Sequence, residues 1–254
     1  MKNVIVFQEF VHHTDGRHDW KKEELFNYFR AQIDNSLYWG WDKKDIVVCT
    51  NYDFEYKDIK PVRLQKISIN ATSNKEYAIY ELLSEGIIKE NFWLHDFDDW
   101  QIEKFDFPEF GGDIGLAKYC GCGGDCDCVR WNCGSIFTKP SAIDIWELFY
   151  NFVEQNKDNK KFISDGNDEI YIDTLYVNYQ EVRDRISKIN SEYNVGCSGF
   201  SDRYGIANKP VKVIAFKPNV KRDLEIFVNG NNDFNVKLAD DRLMNLFKSH
   251  SIDE

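Results

Sequence analysis

Hydrophobic positions fall into two patterns that alternate along the chain. Short continuous apolar runs are typical of strands buried on both faces of a parallel sheet, and the first of them begins at Val4. One run contains Gly134, which predicts a kink in that strand. The predicted strands cover residues 4–7, 45–50, 66–69, 92–94, 131–137 and 211–216.

Apolar residues between these strands recur at steps of three and four, which is typical of helices with one buried face. The first predicted helix begins at Lys21, with Asp19 as its N-cap. The second begins with a capping box formed by Ser73 and Glu76, and it ends before Gly86. The remaining predicted helices begin at Pro140, Asp168 and Leu238.

This order of elements predicts an α/β fold with a mostly parallel central sheet and helices on both faces. Ligands of such sheets bind beyond the carboxyl ends of the strands. Polar residues follow three of the predicted strands, at Gln8 and Glu9, at Asn51 and over residues 95–99. We therefore expect these residues to converge on one cleft.

The composition is typical of one globular domain, which we expect to span residues 1–254. The chain is 43% hydrophobic, enough for a full core, and it has no internal repeat and no clear linker. It has neither an apolar run of about 20 residues nor a secretory signal, so we expect no membrane partner and a cytoplasmic location. The net charge of −11 argues against coating nucleic acid through the overall field.

Five of the seven cysteines lie in an insertion at about 118–133, with the spacing Cys-x-Cys-x₃-Cys-x-Cys-x₄-Cys. Without a secretory signal, such cysteines are expected to be reduced thiols or metal ligands rather than disulfides. Four thiolates are enough for a structural, tetrahedral Zn²⁺ site, and a Gly-rich loop of free thiols is the alternative. The residues that we expect to bind zinc are Cys120, Cys122, Cys126 and Cys128.

Asp96 and Asp98 form the most informative pattern, because they directly follow an apolar predicted strand. Carboxylates at i and i+2 both reach one divalent cation if the chain turns there, and Mg²⁺ and Mn²⁺ prefer carboxylate oxygens. An acidic turn exposed to solvent is the alternative. Other common sites lack their motifs, since the chain has no G-x-x-x-x-G-K-[ST], no G-x-G-x-x-G after its first strand and no G-x-S-x-G.

The acidic pair is one of several stretches that share their order with a known family. They are residues 31–37, 40–41, 49–51, 93–98 with Gln101, 131–137 and 209–214. In this order they resemble GT-A-type glycosyltransferases, in particular the small glycosyltransferase-like sequences of bacteriophage and environmental genomes. The resemblance spans most of the chain and implies a GT-A-like, Rossmann-like sheet.

The resemblance further implies a metal-dependent transfer of sugar from a nucleoside diphosphate sugar, with a UDP-sugar as the first choice of donor. Asp96 and Asp98 would hold Mn²⁺ or Mg²⁺ at the diphosphate. Lys75 would contact donor phosphate or ribose, and a solvated lysine at a helix start is the alternative. The other residues implied to bind the donor are Phe7, Gln8, Asn51 and Phe97.

An acceptor side and a catalytic acidic pair are also implied. Asp168 and Glu169 resemble the acidic pair near the acceptor, although carboxylates in that position also stabilise a helix N-terminus by about 0.3–1 kcal/mol. The acceptor is open between a glycan and a hydroxymethylated DNA base of a phage, in which case the host cytoplasm is the expected location. The residues implied on the acceptor side are Trp100, Gln101, Asn132, Gly134 and Ser135.

One position departs from the family pattern. Related enzymes often carry a late histidine that completes the metal site, and this chain has Ala215 at the matching position. Two alternatives to glycosyl transfer therefore stay open. One is a catalytically inactive, zinc-stabilised binding module with the same fold, and the other is a metal-dependent hydrolase of nucleotide sugars.

Overall fold

The computed structural model describes residues 1–7, 22–65, 74–118, 131–159, 168–196, 210–218 and 241–252, together with 221, 224, 225 and 228. The strands are β1 (Lys2–Val6), β2 (Ile46–Cys49), β3 (Phe92–His95), β4 (Asp99–Gln101), β5 (Ile114–Lys118), β6 (Trp131–Thr138), β7 (Ile186–Lys188), β8 (Val195–Gly196) and β9 (Val213–Ala215). The α-helices whose full bounds the structure describes are α1 (Lys22–Tyr38), α2 (Asn74–Ser84), α3 (Ile143–Asn156), α4 (Asp168–Asn178), α5 (Gln180–Arg185) and α6 (Asp241–Ser249).

Six strands form the central sheet in the order β2-β1-β3-β6-β5-β7. β1 is parallel to both β2 and β3, whereas β6 is antiparallel to its two neighbours, and β7 is parallel to β5. Only β6 therefore runs against the others in this sheet. The predicted mostly parallel α/β sheet is confirmed.

Helices cover both faces of the sheet because successive side chains of a strand point to opposite sides. Val4 and Val6 of β1 belong to a core that includes residues of α2, α3 and α4. Ile5, between them, packs with Phe29 and Ile33 of α1 on the other face. This alternation confirms the predicted helices on both faces, and none of the described helices combines the length and apolar character needed to cross a bilayer.

A second sheet, in the order β4-β9-β8, was not predicted from the sequence. Trp100 of β4 is fully buried, and its indole Nε1 donates to the Phe216 carbonyl at 3.2 Å. Phe247 of α6 packs against both aromatic rings, with centroids 4.7 Å from Trp100 and 5.5 Å from Phe216. The strands have two or three residues each, too few to show a period in the sequence.

The boundaries also differ from the predicted ones in several places. The helix expected from Pro140 begins as a 3₁₀ turn and becomes α3 at Ile143. The predicted strand 211–216 is shortened to β9, and β5 and β7 were not predicted. Gly86 follows α2 with φ +65°, as expected for a residue that ends a helix. The predicted strand 66–69 and the caps Asp19 and Ser73 lie outside the described residues.

Candidate functional site

The acidic turn lies between β3 and β4, at the carboxyl end of β3, as predicted. Its backbone is fixed from three sides. The Asp96 amide donates to the Gly134 carbonyl of β6 at 2.8 Å, and the Asp99 amide donates to the Asp96 carbonyl at 3.0 Å. The Gln32 amide group of α1 donates to the carbonyls of Phe97 and Asp99, both at 2.8 Å. The turn is therefore preorganised by the surrounding elements.

His95, the last residue of β3, contacts the backbone of this turn from the protein interior. Its ring is fully buried and stacks on Trp93 with centroids 4.0 Å apart. Its ring nitrogens lie 3.0 Å from Asn3 Oδ1 and 2.8 Å from the Asp96 carbonyl. Burial lowers the pKa of His95 to about 4, so the ring is neutral near pH 7. His95 orients the turn rather than facing the cleft.

Lys75, in the first turn of α2, is buried beside the acidic turn. Its Nζ lies 2.9 Å from Asp96 Oδ1 and 2.7 Å from Asp168 Oδ2, and it donates to the Cys133 carbonyl at 2.7 Å. Burial lowers its pKa, but the charges of Asp168 and Asp96 outweigh this, and the pKa is raised well above the ordinary value. Lys75 thus donates hydrogen bonds to Asp96 and to the Cys133 carbonyl, and it forms an ion pair with Asp168.

These contacts exclude one of the two predicted environments of Lys75. The side chain is only 8% exposed, so Lys75 is not a solvated lysine at a helix start. Lys75 instead joins Asp96 of the turn to Asp168 of α4, and thereby fixes two of the predicted site residues relative to each other.

The two carboxylates of the pair reach the open side of the turn. The Asp96 side chain is 36% exposed and that of Asp98 is 21% exposed. Partial burial raises the pKa of Asp96 to about 7, Lys75 opposes this rise, and the charges of Asp98 and Asp168 add to it. A cation or another positive group at the turn would favour the charged form of Asp96.

Asp168 begins α4, as predicted, and its carboxylate is buried in the ion pair with Lys75. Glu169, the next residue, is half-buried. The structure therefore places Asp168 close to Asp96, with the Lys75 ammonium in contact with both carboxylates.

A bulge in β6 lies beside the acidic turn. Leu116 of β5 pairs with Ile136 and Ala117 pairs with Asn132, so residues 133–135 are extra on the β6 side. The Asn132 amide oxygen accepts from the Gly134 amide at 3.0 Å, and its Nδ2 donates to Asn194 Oδ1 at 3.2 Å. Asn194 was missed because it follows a 3₁₀ turn far along the chain, where no motif marks it.

Gly134 is required by the close packing at this bulge. An added Cβ would lie 2.8 Å from Asp99 Oδ2, 3.3 Å from Asn132 Oδ1 and 3.3 Å from Asn194 Nδ2. Ser135 is fully buried, and its Oγ accepts from Trp93 Nε1 at 2.7 Å. Asn132 and Gly134 thus lie beside the acidic turn, whereas Ser135 links β6 to β3 inside the protein.

Trp100 and Gln101 do not line the cleft, contrary to the acceptor role predicted for them. Trp100 is enclosed by the second sheet and α6, and Gln101 is 2% exposed. The Gln101 carbonyl accepts from Asn35 at 3.1 Å and from Trp39 at 2.9 Å, and its Oε1 accepts from Trp41 at 2.8 Å. Both residues follow the turn in β4, where tertiary packing buries them.

Aromatic rings gather at the carboxyl ends of β1 and β2. Phe7 is buried, with its ring 5.7 Å from that of Phe97 and 6.3 Å from that of Tyr52. Asn51, which follows β2, is half-buried. The predicted residues Phe7, Asn51 and Phe97 thus meet at one edge of the sheet, with Tyr52 as a residue that the sequence did not single out. Gln8 lies outside the described residues.

The carboxylates of the turn suit a divalent cation that the substrate also binds. Within the described ranges, no group of three or more His, Cys, Asp or Glu side chains is arranged to hold a metal ion. Ala215 pairs with Asp99 across β4 and β9, so a methyl group stands where the family histidine was expected. Two partly exposed carboxylates still fit Mg²⁺ or Mn²⁺, because such ions are held by one or two carboxylates plus waters and substrate phosphates.

The cysteines predicted to bind zinc, Cys120, Cys122, Cys126 and Cys128, lie outside the described residues. The fifth cysteine of the cluster, Cys133, is a buried free thiol in β6. Burial and the nearby charge of Asp168 raise its pKa well above the ordinary value. A thiol that stays protonated in the core is a poor metal ligand, which agrees with leaving Cys133 out of the predicted set.

Comparisons with known proteins identify the fold. No family model matches the chain, and no curated protein matches it. A glycosyltransferase involved in glycosylation of the major capsid of PBCV-1 is similar in structure, at 10% identity and a TM-score of 0.51 over 89% of this chain and 99% of that one.

Two bacterial structures give the same result. The galactosyltransferase LgtC, solved with donor and acceptor sugar analogs, matches at 13% identity and a TM-score of 0.54 over 98% of this chain and 96% of that one. The glycosyltransferase GlyE of Streptococcus pneumoniae TIGR4 matches at 12% identity and a TM-score of 0.53 over 99% of this chain and 64% of that one. The chain has the GT-A, Rossmann-like fold that the sequence resemblance implied.

Proposed function

We propose that this chain is a GT-A-type glycosyltransferase that moves a sugar from a nucleoside diphosphate sugar to an acceptor. The observation that carries this proposal is the acidic turn at the carboxyl end of β3, to which α2 brings Lys75 and α4 brings Asp168. In folds of this kind, ligands bind beyond the carboxyl ends of the parallel strands. The GT-A fold and the chemistry of the turn therefore support the same activity.

Some residues at the turn are proposed to bind the donor, and others hold the turn in position. Asp96 and Asp98 would hold Mn²⁺ or Mg²⁺, and the bound ion would neutralise charge on the departing diphosphate. Gln32 and Lys75 keep the turn and its carboxylate in place before substrate arrives. Phe7, Asn51 and Phe97, with Tyr52, form the edge against which we place the nucleoside, and a UDP-sugar stays the first donor to test.

We assign the sugar and acceptor to the side of the turn that carries Asn132, Gly134, Asp168 and Glu169. The net charge of −11 disfavours duplex DNA, so glycans are tested first and hydroxymethylated DNA second. A specific observation favours one other function. Because Ala215 offers no ligand beside Asp99, an inactive module that binds a nucleotide sugar without turnover is the second candidate.

Asp98→Asn tests the proposed activity, because it keeps the shape of the side chain and removes its charge. We expect turnover of a nucleotide sugar across a Mn²⁺ titration to fall on the order of a thousandfold, equivalent to several kcal/mol. The melting temperature should stay close to that of the unmodified chain. Asp158→Asn, at an exposed position after α3, is the matched control and should leave turnover unchanged.

Three results would contradict this account in different ways. Full activity of Asp98→Asn, or equal transfer in chelator, would disprove the role of the acidic turn. Donor binding without turnover on any acceptor would favour the inactive module. Release of free sugar at the same rate with and without acceptors would favour the nucleotide-sugar hydrolase.

We also propose that Cys120, Cys122, Cys126 and Cys128 bind one structural Zn²⁺ in the insertion at about 118–133, and that residues 1–254 act as one domain in the cytoplasm. The spacing of the thiols supports the zinc site. Elemental analysis of the purified chain should find one zinc per chain. Absence of zinc together with freely titratable thiols would contradict this proposal.

A further inference from the structure

Asn194 joins the second sheet to the central sheet beside the acidic turn. It follows the 3₁₀ turn Ser191–Tyr193, and its backbone amide donates to the Ser191 carbonyl at 3.1 Å. Val195, the next residue, begins β8 and pairs with Ile214 of β9. The backbone is thus fixed on both sides of Asn194.

The side chain of Asn194 accepts a hydrogen bond from Asn132 of β6. Asn132 Nδ2 lies 3.2 Å from Asn194 Oδ1, and Asn132 Oδ1 accepts from the Gly134 amide at 3.0 Å. The Gly134 carbonyl accepts from the Asp96 amide at 2.8 Å. A series of hydrogen bonds therefore runs from the second sheet through the β6 bulge to the backbone of the acidic turn.

These contacts determine which way both side-chain amides face. A backbone N–H can only donate, so Asn132 directs its oxygen at Gly134 and its Nδ2 at Asn194. Asn194 must then present its oxygen, and its own Nδ2 is buried without a hydrogen-bond partner among the described residues. Because a buried donor without a partner costs free energy, the contact with Asn132 determines the orientation of Asn194.

Asn132 keeps one donor for a ligand. Its Nδ2 carries two protons, one of which is directed at Asn194, and no other residue that the structure describes accepts the second. Asn132 is also the more exposed of the two, at 6% compared with 2% for Asn194. A hydroxyl group of a sugar can accept a hydrogen bond from such an amide.

We propose that Asn194 is a positioning residue for sugar recognition, which holds the Asn132 amide so that its second Nδ2 proton donates to a hydroxyl of the donor's sugar. The inference rests on the proposed function, which assigns the sugar to the side of the turn that carries Asn132. It extends that function to a residue that does not itself contact the ligand. Loss of Asn194 Oδ1 should weaken binding of the sugar and leave binding of the nucleoside diphosphate unchanged.

The test compares nucleotide sugars with their nucleoside diphosphates by calorimetry in Mn²⁺. UDP-glucose, UDP-galactose, UDP-N-acetylglucosamine and GDP-mannose are titrated into the full chain, and the tightest binder and its diphosphate are used for the variants. Asn194→Ala removes the acceptor, Asn194→Ser does so with a smaller change in volume, and Asn194→Asp keeps an oxygen for Asn132. Asn190→Ala, at an exposed position just before the same 3₁₀ turn, is the control. Melting temperatures check that the variants are folded.

We expect Asn194→Ala and Asn194→Ser to weaken binding of the nucleotide sugar about fivefold, as for loss of one hydrogen bond between uncharged groups, with diphosphate affinity unchanged. Asn194→Asp should be less stable, because it buries a charge, and still bind the nucleotide sugar within about twofold of the unmodified chain, as should Asn190→Ala. Adding Asn194→Ala to Asn132→Ala should weaken sugar binding no further, because the residue that Asn194 positions is already absent.

Three results would overturn the inference and leave the proposed function standing. They are unchanged sugar affinity in Asn194→Ala, an equal loss for the nucleotide sugar and its diphosphate, and a loss in Asn194→Asp as large as in Asn194→Ala. The last two would mean that Asn194 acts through the stability of the turn or of the fold. Absence of binding by the unmodified chain would overturn the proposed function, and the inference with it.

Discussion

Glu76 lies in the first turn of α2, next to Lys75, and its side chain is enclosed by the protein. Neither carboxylate oxygen has a hydrogen-bond partner in another residue among those that the structure describes. Burial and the nearby charge of Asp168 raise the pKa of Glu76 to about 8, so it is mostly neutral at pH 7. The sequence predicted Glu76 as one half of a capping box, and its proximity to the acidic cleft could not be read from helical spacing.

Glu76→Gln should change the pH dependence of stability. The folded protein holds the Glu76 proton more tightly than the unfolded chain, so this group stabilises the fold fully below about pH 4.5 and loses that contribution as pH rises towards 8. The variant removes the titration. Its free energy of unfolding, relative to the unmodified chain, should be higher at pH 8 than at pH 5 by a few kcal/mol.

Urea unfolding at both pH values measures this difference. Glu85→Gln, at an exposed position just after α2, is the control and should give the same difference at pH 5 and pH 8. If Glu76→Gln also shows no change between the two pH values, Glu76 is charged or well solvated in the folded chain and the assignment is wrong.

Whether the other site residues could be predicted depends on how far their contacting residues lie from them in the sequence. Asp96 and Asp98 could be predicted because a strand end and a carboxylate pair are both local signals. Lys75 could be predicted as a cleft residue, but its burial depends on contacts with Asp168 and the Cys133 carbonyl, both remote in sequence. Asn194 could not be placed, since its contact with Asn132 joins elements that are remote in sequence.

At the scale of elements, the β6 bulge decides the shape of the cleft wall. Gly134→Ala would place a methyl group against Asp99 Oδ2, Asn132 Oδ1 and Asn194 Nδ2, all of them buried. We expect a loss of about 1–3 kcal/mol in the free energy of unfolding, together with weaker donor binding. Thermal denaturation and nucleoside diphosphate titration measure the two effects.

Gly111→Ala is the matched control, because the nearest atom to its added Cβ is Ser187 Oγ at 4.0 Å. It should leave stability and binding nearly unchanged. A Gly134→Ala variant as stable as this control, with full binding, would mean that the bulge has room to relax and does not shape the cleft.

Elements with long patterns were predicted well and short ones were not. β1, β2, β3 and the helices α1 to α4 have enough residues for a buried run or a helical period to show. β5 has the sequence Ile-Gly-Leu-Ala-Lys, in which Gly and Ala have low strand propensity, and it is a strand because β6 and β7 pair with it. Pairing of this kind is tertiary information that local periodicity does not contain.

At the scale of the whole molecule, α6 packs against the second sheet, which continues directly from the acidic turn. Phe247 is fully buried against Trp100 and Phe216, which lie next to Asp99 and Ala215 in the sequence. Arg242, on the same helix, donates to Asn35 Oδ1 of α1 at 2.8 Å. The second sheet that carries one side of the site is thus held between two helices from opposite ends of the chain.

Phe247→Ala should therefore affect both stability and the site. Removing the ring leaves a cavity in a buried aromatic cluster, which we expect to cost about 3–5 kcal/mol in the free energy of unfolding. Because β4 and β9 lose the packing of this ring, nucleoside diphosphate affinity should fall even at temperatures well below the melting temperature. Asn245→Ala, on the exposed side of α6, is the control. Unchanged affinity in a folded Phe247→Ala variant would show that α6 does not support the site.

In the proposed function, the diphosphate of a nucleotide sugar binds at the Asp96–Asp98 turn with a divalent cation. Anomalous diffraction from crystals grown with Mn²⁺ and a nucleoside diphosphate tests it most directly. We expect a manganese peak within coordination distance of the Asp96 and Asp98 carboxylates, with the diphosphate bound to the same ion. A bound diphosphate with no manganese at these carboxylates, or with both located elsewhere on the chain, would contradict it.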